Sequence, residues 1–403
     1  MVGVRAFTRL RLAVVPALVA AAVVPIAFSD SPDATLCLGA TAPATHPGSR
    51  AGHHYEYVFP SGAMCVYDQD HGHRLVQATR LPGANAIRGV AVSPRTHMLY
   101  VSYGGDGGPN GSGSLLAYDL LRDEIVWRQK YSTGIDSMAV SRDGMRIFMP
   151  TGELAPDGIW RVLNARNGDP IGSIDAGAGP HNTIVSLNGR HVYLGGRNHD
   201  FLEVADTKSN RIVRRIGPLK GGVRPFTING RETLAYTTAT HFLGFQVSSI
   251  RTGKVLYTRS FRGFSWSPDT FEPTAPSHGI SLSPDEKQVW VIDAPNSYVH
   301  VFDVRRVPRS GPRAIANVKL SHPLQGTEVR CDYDCARDGW LQHSRNGRYV
   351  YVGDVGEVID TRTRRAVAYL PALRETRNFL EIDWRKGVPV STTTRSGLGY
   401  VTR

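Results

Sequence analysis

The stretch SHGISLSPDEKQVWVID, residues 277–293, decides the fold. Two apolar runs flank a Ser-Pro-Asp turn, so the segment reads as a β-hairpin with a tight polar connection. A histidine and a glycine stand at its entrance. The same pattern recurs as RGVAVSPRTHMLYVSY (88–103), DSMAVSRDGMRIFMP (136–150), HNTIVSLNGRHVYLGG (181–196), VRPFTINGRETLAYTT (223–238) and GWLQHSRNGRYVYVGD (339–354). Each turn holds Ser, Pro, Asp, Asn or Gly, residues that preset turn dihedrals or bond their own backbone. A second hairpin, read as strand-Asp-x-x-x-x-strand, follows each of these. AMCVYDQDHGHRLVQ (63–77), LLAYDLLRDEIVWRQ (115–129), FLEVADTKSNRIVRRI (201–216) and GEVIDTRTRRAVAYL (356–370) show it most clearly.

In all, the second hairpin occurs seven times and the first occurs six times in clear form. The unmatched second half lies at the N-terminus. A degenerate first half, FLEIDWRKGVPVSTTTRSGLGYV (379–401), lies at the C-terminus. One blade therefore joins strands from both chain ends, which removes the open sheet edges a linear array would leave. Four-stranded units recurring at roughly 40–57 residues imply a radial arrangement. The fold class is all-β: a single seven-bladed β-propeller of four-stranded blades over residues 55–403, its last blade closed by strands from both termini.

Ahead of the repeats, Arg5, Arg9 and Arg11 precede the apolar run 13–27, and Ala27-Phe28-Ser29 is a small-x-small cleavage site. Residues 1–29 read as an export signal, with an uncleaved anchor as the lesser alternative. Residues 30–54, rich in Pro, Ala, Ser and Gly, read as a flexible spacer. No later segment is apolar enough to span a membrane. The expected location is secreted or cell-surface, where cysteines pair. Four cysteines allow three pairings. If Cys331 and Cys335 close the small CDYDC loop, Cys37 is left with Cys65. A C-x3-C metal site lacks a second ligand pair here. Net charge is +12, scattered rather than striped. That excludes a nucleic-acid groove and leaves adhesion to anionic cell-surface polymers open.

The SPDEKQVWV and SRNGRYVYV strands, followed by VFD and VIDTRT, resemble YVTN-type propeller repeats, including exported proteins of the YncE-like group. The resemblance covers nearly the whole chain after the signal. A literal Tyr-Val-Thr-Asn is absent, with LAYTT and VYLGG in its place. The family implies the fold and no single activity, since such repeats serve enzymes, binding proteins and surface-layer proteins alike.

In a propeller the first strand of each blade runs beside the axis, so its entrance residue lines one mouth of the channel. Aligned on the turns, these residues are Arg88, Asp136, His181, Arg224 (after Val223), His278 and Trp340 (after Gly339), with Asn378 and Glu381 near the degenerate copy. Propeller channels are wet, and polar residues there are expected even without a ligand. The functional reading is a pocket for a small anionic ligand. Arg88 and Arg224 would hold a carboxylate or phosphate. His181 or His278 would serve as base beside Asp136. The loops 261–277 and 320–338 rise on the same rim, and Phe264, Trp266, Phe271 and Trp340 offer an apolar wall.

The primary expectation is a monomeric binding or scaffold protein. The alternatives are a propeller lactonase or hydrolase, with a His or Asp base and an Arg oxyanion contact, and a cell-surface adhesion protein. No metal site is assigned: His53, His54, His71 and His73 read as solvated surface histidines. No elbow, haem-attachment or zinc-protease motif occurs, and the sequence identifies no cofactor.

Overall fold

The computed structural model describes Cys37 and residues 53–393, apart from 106, 110, 272, 273 and 328–335. The signal segment, nearly all of the spacer, and Cys331 and Cys335 lie outside the described residues. Seven antiparallel sheets make the ring. Blade 1 comprises Ile87–Ser93, Met98–Tyr103, Ser114–Asp119 and Glu124–Lys130. The first strands of blades 2 to 6 are Ala139–Val140, Pro180–Val185, Val223–Ile228, Ile280–Leu282 and Trp340–His343. First strands of successive blades pack against one another around the axis. They are almost wholly buried, whereas fourth strands such as Glu124–Lys130 alternate exposed and half-buried residues.

The repeat residues act as local fasteners. In the first hairpin a serine that follows the first strand accepts the N–H five residues on, as Ser141 does from Arg146 and Ser283 from Gln288, both at 2.9 Å. In the second hairpin the aspartate closes an Asx-type turn. Asp206 Oδ1 accepts from the N–H of Lys208 and Ser209, and Asp360 Oδ1 from those of Arg362 and Thr363. These bonds explain why the pattern recurs even where the apolar residues vary.

Blade 7 does join both chain ends, but with a different division than the repeat count suggests. The C-terminal stretch supplies the first strand, Phe379–Arg385, and the N-terminal stretch supplies His53–Val58, Ala63–Asp68 and Arg74–Arg80. His53 faces Trp384 and Val58 faces Phe379 across the seam. The strand HHYEYV, which forms a hairpin with Ala63–Asp68, escaped the repeat reading because its first-strand partner is absent from the neighbouring sequence and it carries polar residues on a buried face. A fifth strand, Val388–Thr392, adds to the free axial edge of Phe379–Arg385. A disulfide joins Cys37 to Cys65, and both half-cystines sit in one buried cluster with Tyr67, Leu370 and Leu373. Among the described residues no helix is long and apolar enough to cross a membrane.

Candidate functional site

The entrance residues of the first strands converge, and backbone irregularity aims them. Arg88 sits where the blade 1 register slips between Ile87 and Gly89. His181 sits at the slip between Pro180 and Asn182, and Arg224 at the slip between Val223 and Phe226. An extra residue in one strand escapes the ladder and turns its side chain, so each bulge presents a polar group that regular pleating would not. His278, Asp338 and Arg377 each stand two residues ahead of the first strands of blades 5, 6 and 7. Glycine permits the close approach that brings neighbours together. A Cβ at Gly89 would meet the Asp136 carbonyl at 2.9 Å, and one at Gly279 would meet the Leu341 nitrogen at 3.0 Å.

The result is a charged ring at one end of the axis. His181 Nδ1 lies 3.0 Å from Asp136 Oδ2 and 3.9 Å from Glu153 Oε2. Glu153 Oε2 accepts from Arg197 at 2.8 Å and from Arg224 at 3.2 Å. Both arginines also reach the Thr274 hydroxyl, at 2.6 Å from Arg224 and 3.3 Å from Arg197. Across the ring, His278 Nδ1 lies 3.1 Å from Asp338 Oδ1 and 3.1 Å from the Gly339 carbonyl. Arg377 donates to Asp338 Oδ1 at 2.6 Å and lies 3.6 Å from Asp354 Oδ2. The two imidazole centroids are 5.9 Å apart. All of these groups except Arg197 and Thr274 are buried.

Charge outweighs burial at the two carboxylates Glu153 and Asp338. Burial alone would push the Glu153 carboxyl up, but His181, Arg197, Arg224 and Arg88 outweigh it and hold it well below the usual range. Asp338 is likewise buried, yet His278 and Arg377 bring it down to about 2. Burial lowers His278 despite Asp338, so its imidazole favours the neutral form. A carboxylate facing Nδ1 accepts a hydrogen bond from that nitrogen and turns Nε2 of His181 away from Asp136 and Glu153. That Nε2 is buried and has no hydrogen-bond partner among the described residues.

Asp136, Glu153 and His181 offer donor atoms within 4.8 Å of one another, yet they do not suit a divalent cation. Two guanidiniums already occupy the Glu153 oxygen, and a cation would have to displace them. Below the ring the chemistry changes. A cavity of about 190 Å³ lies further along the first strands of blades 1 to 3, lined by Val90, Val92, Met138, Ala139, Thr183 and Val185 among others, and is mainly apolar.

The structure thus brings Asp136, His181, Arg224 and His278 together as the entrance alignment expects, and Arg88 acts on Glu153 through its charge. Trp340 meets His278 edge-on at 5.6 Å but is a core residue of the blade 6–7 contact. The loop aromatics form no wall at the ring. Phe264 packs on Tyr298 and His300, Trp266 stacks on His241 and donates to the Phe271 carbonyl, and Phe271 joins the blade 5–6 core. His71 and His73 diverge: His71 bonds Asp68, whereas His73 is buried against the Tyr351 hydroxyl. At blades 6 and 7 the ring takes Asp338 and Arg377 in place of the expected Trp340 and of Asn378 and Glu381. Sequence reasoning also missed Glu153, Arg197 and Asp354. Each follows the end of a second strand, which returns to the same rim, so aligning second-strand ends would have found them.

The fold and this ring define the class: a seven-bladed β-propeller with an acid–base and arginine cluster at one axial mouth. No family model matches the chain, and no curated protein does. Among solved structures it is similar to hydrazine synthase of Kuenenia stuttgartiensis, with a TM-score of 0.51 and 16% identity over 78% of this chain and 90% of that one. At that identity the likeness is one of fold alone.

Proposed function

We propose that this protein is an exported propeller of the YVTN/YncE-like kind that binds a small anionic ligand at the axial ring. The observation that carries the reading is the convergence of Arg88, Arg197 and Arg224 on the single carboxylate of Glu153, beside an Asp136-held His181 whose Nε2 is unbonded. Guanidinium forks match carboxylate and phosphate geometry. The arginines and carboxylates gather at one end of the axis, which fits a ligand mouth there. Thr274 ties the loop 261–277 to the same arginines, so the loop would report on occupancy. The Cys37–Cys65 bridge suits an oxidising compartment, which agrees with export.

The test is thermal melting of the full chain against phosphate and small mono- and dicarboxylates at low salt. At least one anion should raise the melting temperature saturably. His181→Gln and Arg88→Gln should each weaken that anion by about 10–100-fold, the value of one charge-assisted hydrogen bond. If no anion shifts the wild type, or the variants respond like it, the reading fails.

A second reading, hydrolysis, rests on the Asp136–His181 pair itself, whose Nε2 has the placement of a general base. It requires turnover of an ester or lactone that His181→Gln abolishes while binding persists.

A further inference from the structure

The seam of blade 7 carries a second polar cluster, and strand register builds it. His54 faces Asp383 and Glu56 faces Glu381 across the two strands. Directly opposed residues project to one side of a sheet, as do residues two apart along a strand. One imidazole and three carboxylates therefore share a face. Glu56, Glu381 and Asp383 are buried, while the His54 side chain is 34% exposed.

Carboxylates set directly opposite each other repel. Each is nonetheless held by a donor on one oxygen. Arg345 and the Ser391 hydroxyl take Asp383 Oδ2, the Arg345 backbone N–H donates to Glu381 Oε2 at 2.6 Å, and the Gln69 amide donates to Glu56 Oε2 at 3.4 Å. The other oxygens of Asp383 and Glu381 gather around His54. Its Nδ1 lies 2.6 Å from Asp383 Oδ1 and 3.3 Å from Glu381 Oε1, and these three atoms lie within 4.8 Å of one another. Oε1 of Glu56 and Oε1 of Glu381 are buried without a hydrogen-bond partner among the described residues. One oxygen oriented and the other left bare is how proteins prepare carboxylates for a metal.

We propose that this seam binds a divalent transition-metal ion of the zinc or manganese class through His54 Nδ1, Glu381 and Asp383, with the Glu56 carboxylate facing Glu381 beside them. One nitrogen with carboxylate oxygens is a donor set these ions accept. The charges close: three carboxylates balance one divalent ion and the Arg345 guanidinium, with His54 neutral. A cavity of about 380 Å³, lined by His53, His54, Arg345, Asp383 and Ser391 among others, gives the ion a route from solvent. One ligand comes from the N-terminal strand and two from the C-terminal strand, so the ion clasps the ring shut.

The experiment strips the full chain with EDTA and then titrates Zn²⁺ or Mn²⁺, following heat and melting temperature. One equivalent should bind and raise the melting temperature. Glu381→Gln and Glu56→Gln should each weaken uptake at least about tenfold, the loss that follows when a ligand or a group orienting one is removed. His71→Ala should change nothing, because His71 belongs with His53 and Asp68 in a separate grouping. Absence of stoichiometric uptake by the wild type would overturn the proposal, leaving protons alone to bridge the carboxylates. Uptake lost in His71→Ala and kept in Glu56→Gln would overturn it too. The wild-type titration decides even where Glu381→Gln fails to fold.

Discussion

His343 shows how a buried side chain reports on this fold. It lies in the first strand of blade 6, fully buried, with Nδ1 taking the Ser281 hydroxyl at 2.8 Å. Burial pushes its imidazole down to about 3. In the unfolded chain a histidine titrates near 6.5. The folded pKa is the lower one, so the unfolded state takes the proton first. Stability from this group is complete above about pH 6.5 and is lost as pH falls toward 3, at about 1.4 kcal/mol per pH unit. His343→Asn should therefore narrow its stability gap to the wild type between pH 7 and pH 4 in urea unfolding; a gap that stays constant contradicts the assignment. Glu153 offers the complementary test. Glu153→Gln removes the carboxylate that Arg197 and Arg224 share, and should cost about 3–5 kcal/mol. Phosphate should restore part of the loss if the ring accepts anions, and a variant as stable as the wild type would show that the network carries little.

At the scale of elements, the seam and the bulges matter most. The disulfide closes a separation of 28 residues between Cys37 and the third strand of blade 7. On a chain-entropy basis that is worth about 3–4 kcal/mol. The double variant Cys37→Ser, Cys65→Ser should lower the urea midpoint accordingly, and an unchanged midpoint would mean that the bridge constrains nothing. The hairpins were legible in sequence because their turns depend on short-range bonds from Ser, Asp and Asn. The strand His53–Val58 was not: it pairs with the adjacent Ala63–Asp68, but its other partner, which makes it an inner strand, lies more than three hundred residues away at Phe379–Arg385. The bulges at Arg88, His181 and Arg224 were not legible as bulges. Their entrance positions could still be read, since a turn-based alignment counts residues from the other end of the strand.

For the whole molecule, ring closure explains why residues far apart in the chain share one mouth. Asp136, His181, Arg224 and His278 come from four successive blades, and Asp338 and Arg377 extend the circle. The repeat made the ring predictable and the first-strand residues with it. Glu153, Arg197 and Asp354 follow second-strand ends, which an alignment made on first-strand entrances does not reach. The central claim is that this mouth holds a small anion. Native mass spectrometry of the full chain, purified from the cells that express it, tests that claim most directly. A mass excess of one small acidic molecule is expected, absent from His181→Gln prepared in the same way. A bare mass for the wild type, unchanged after incubation with phosphate and carboxylates, would contradict it and leave the ring as a structural network alone.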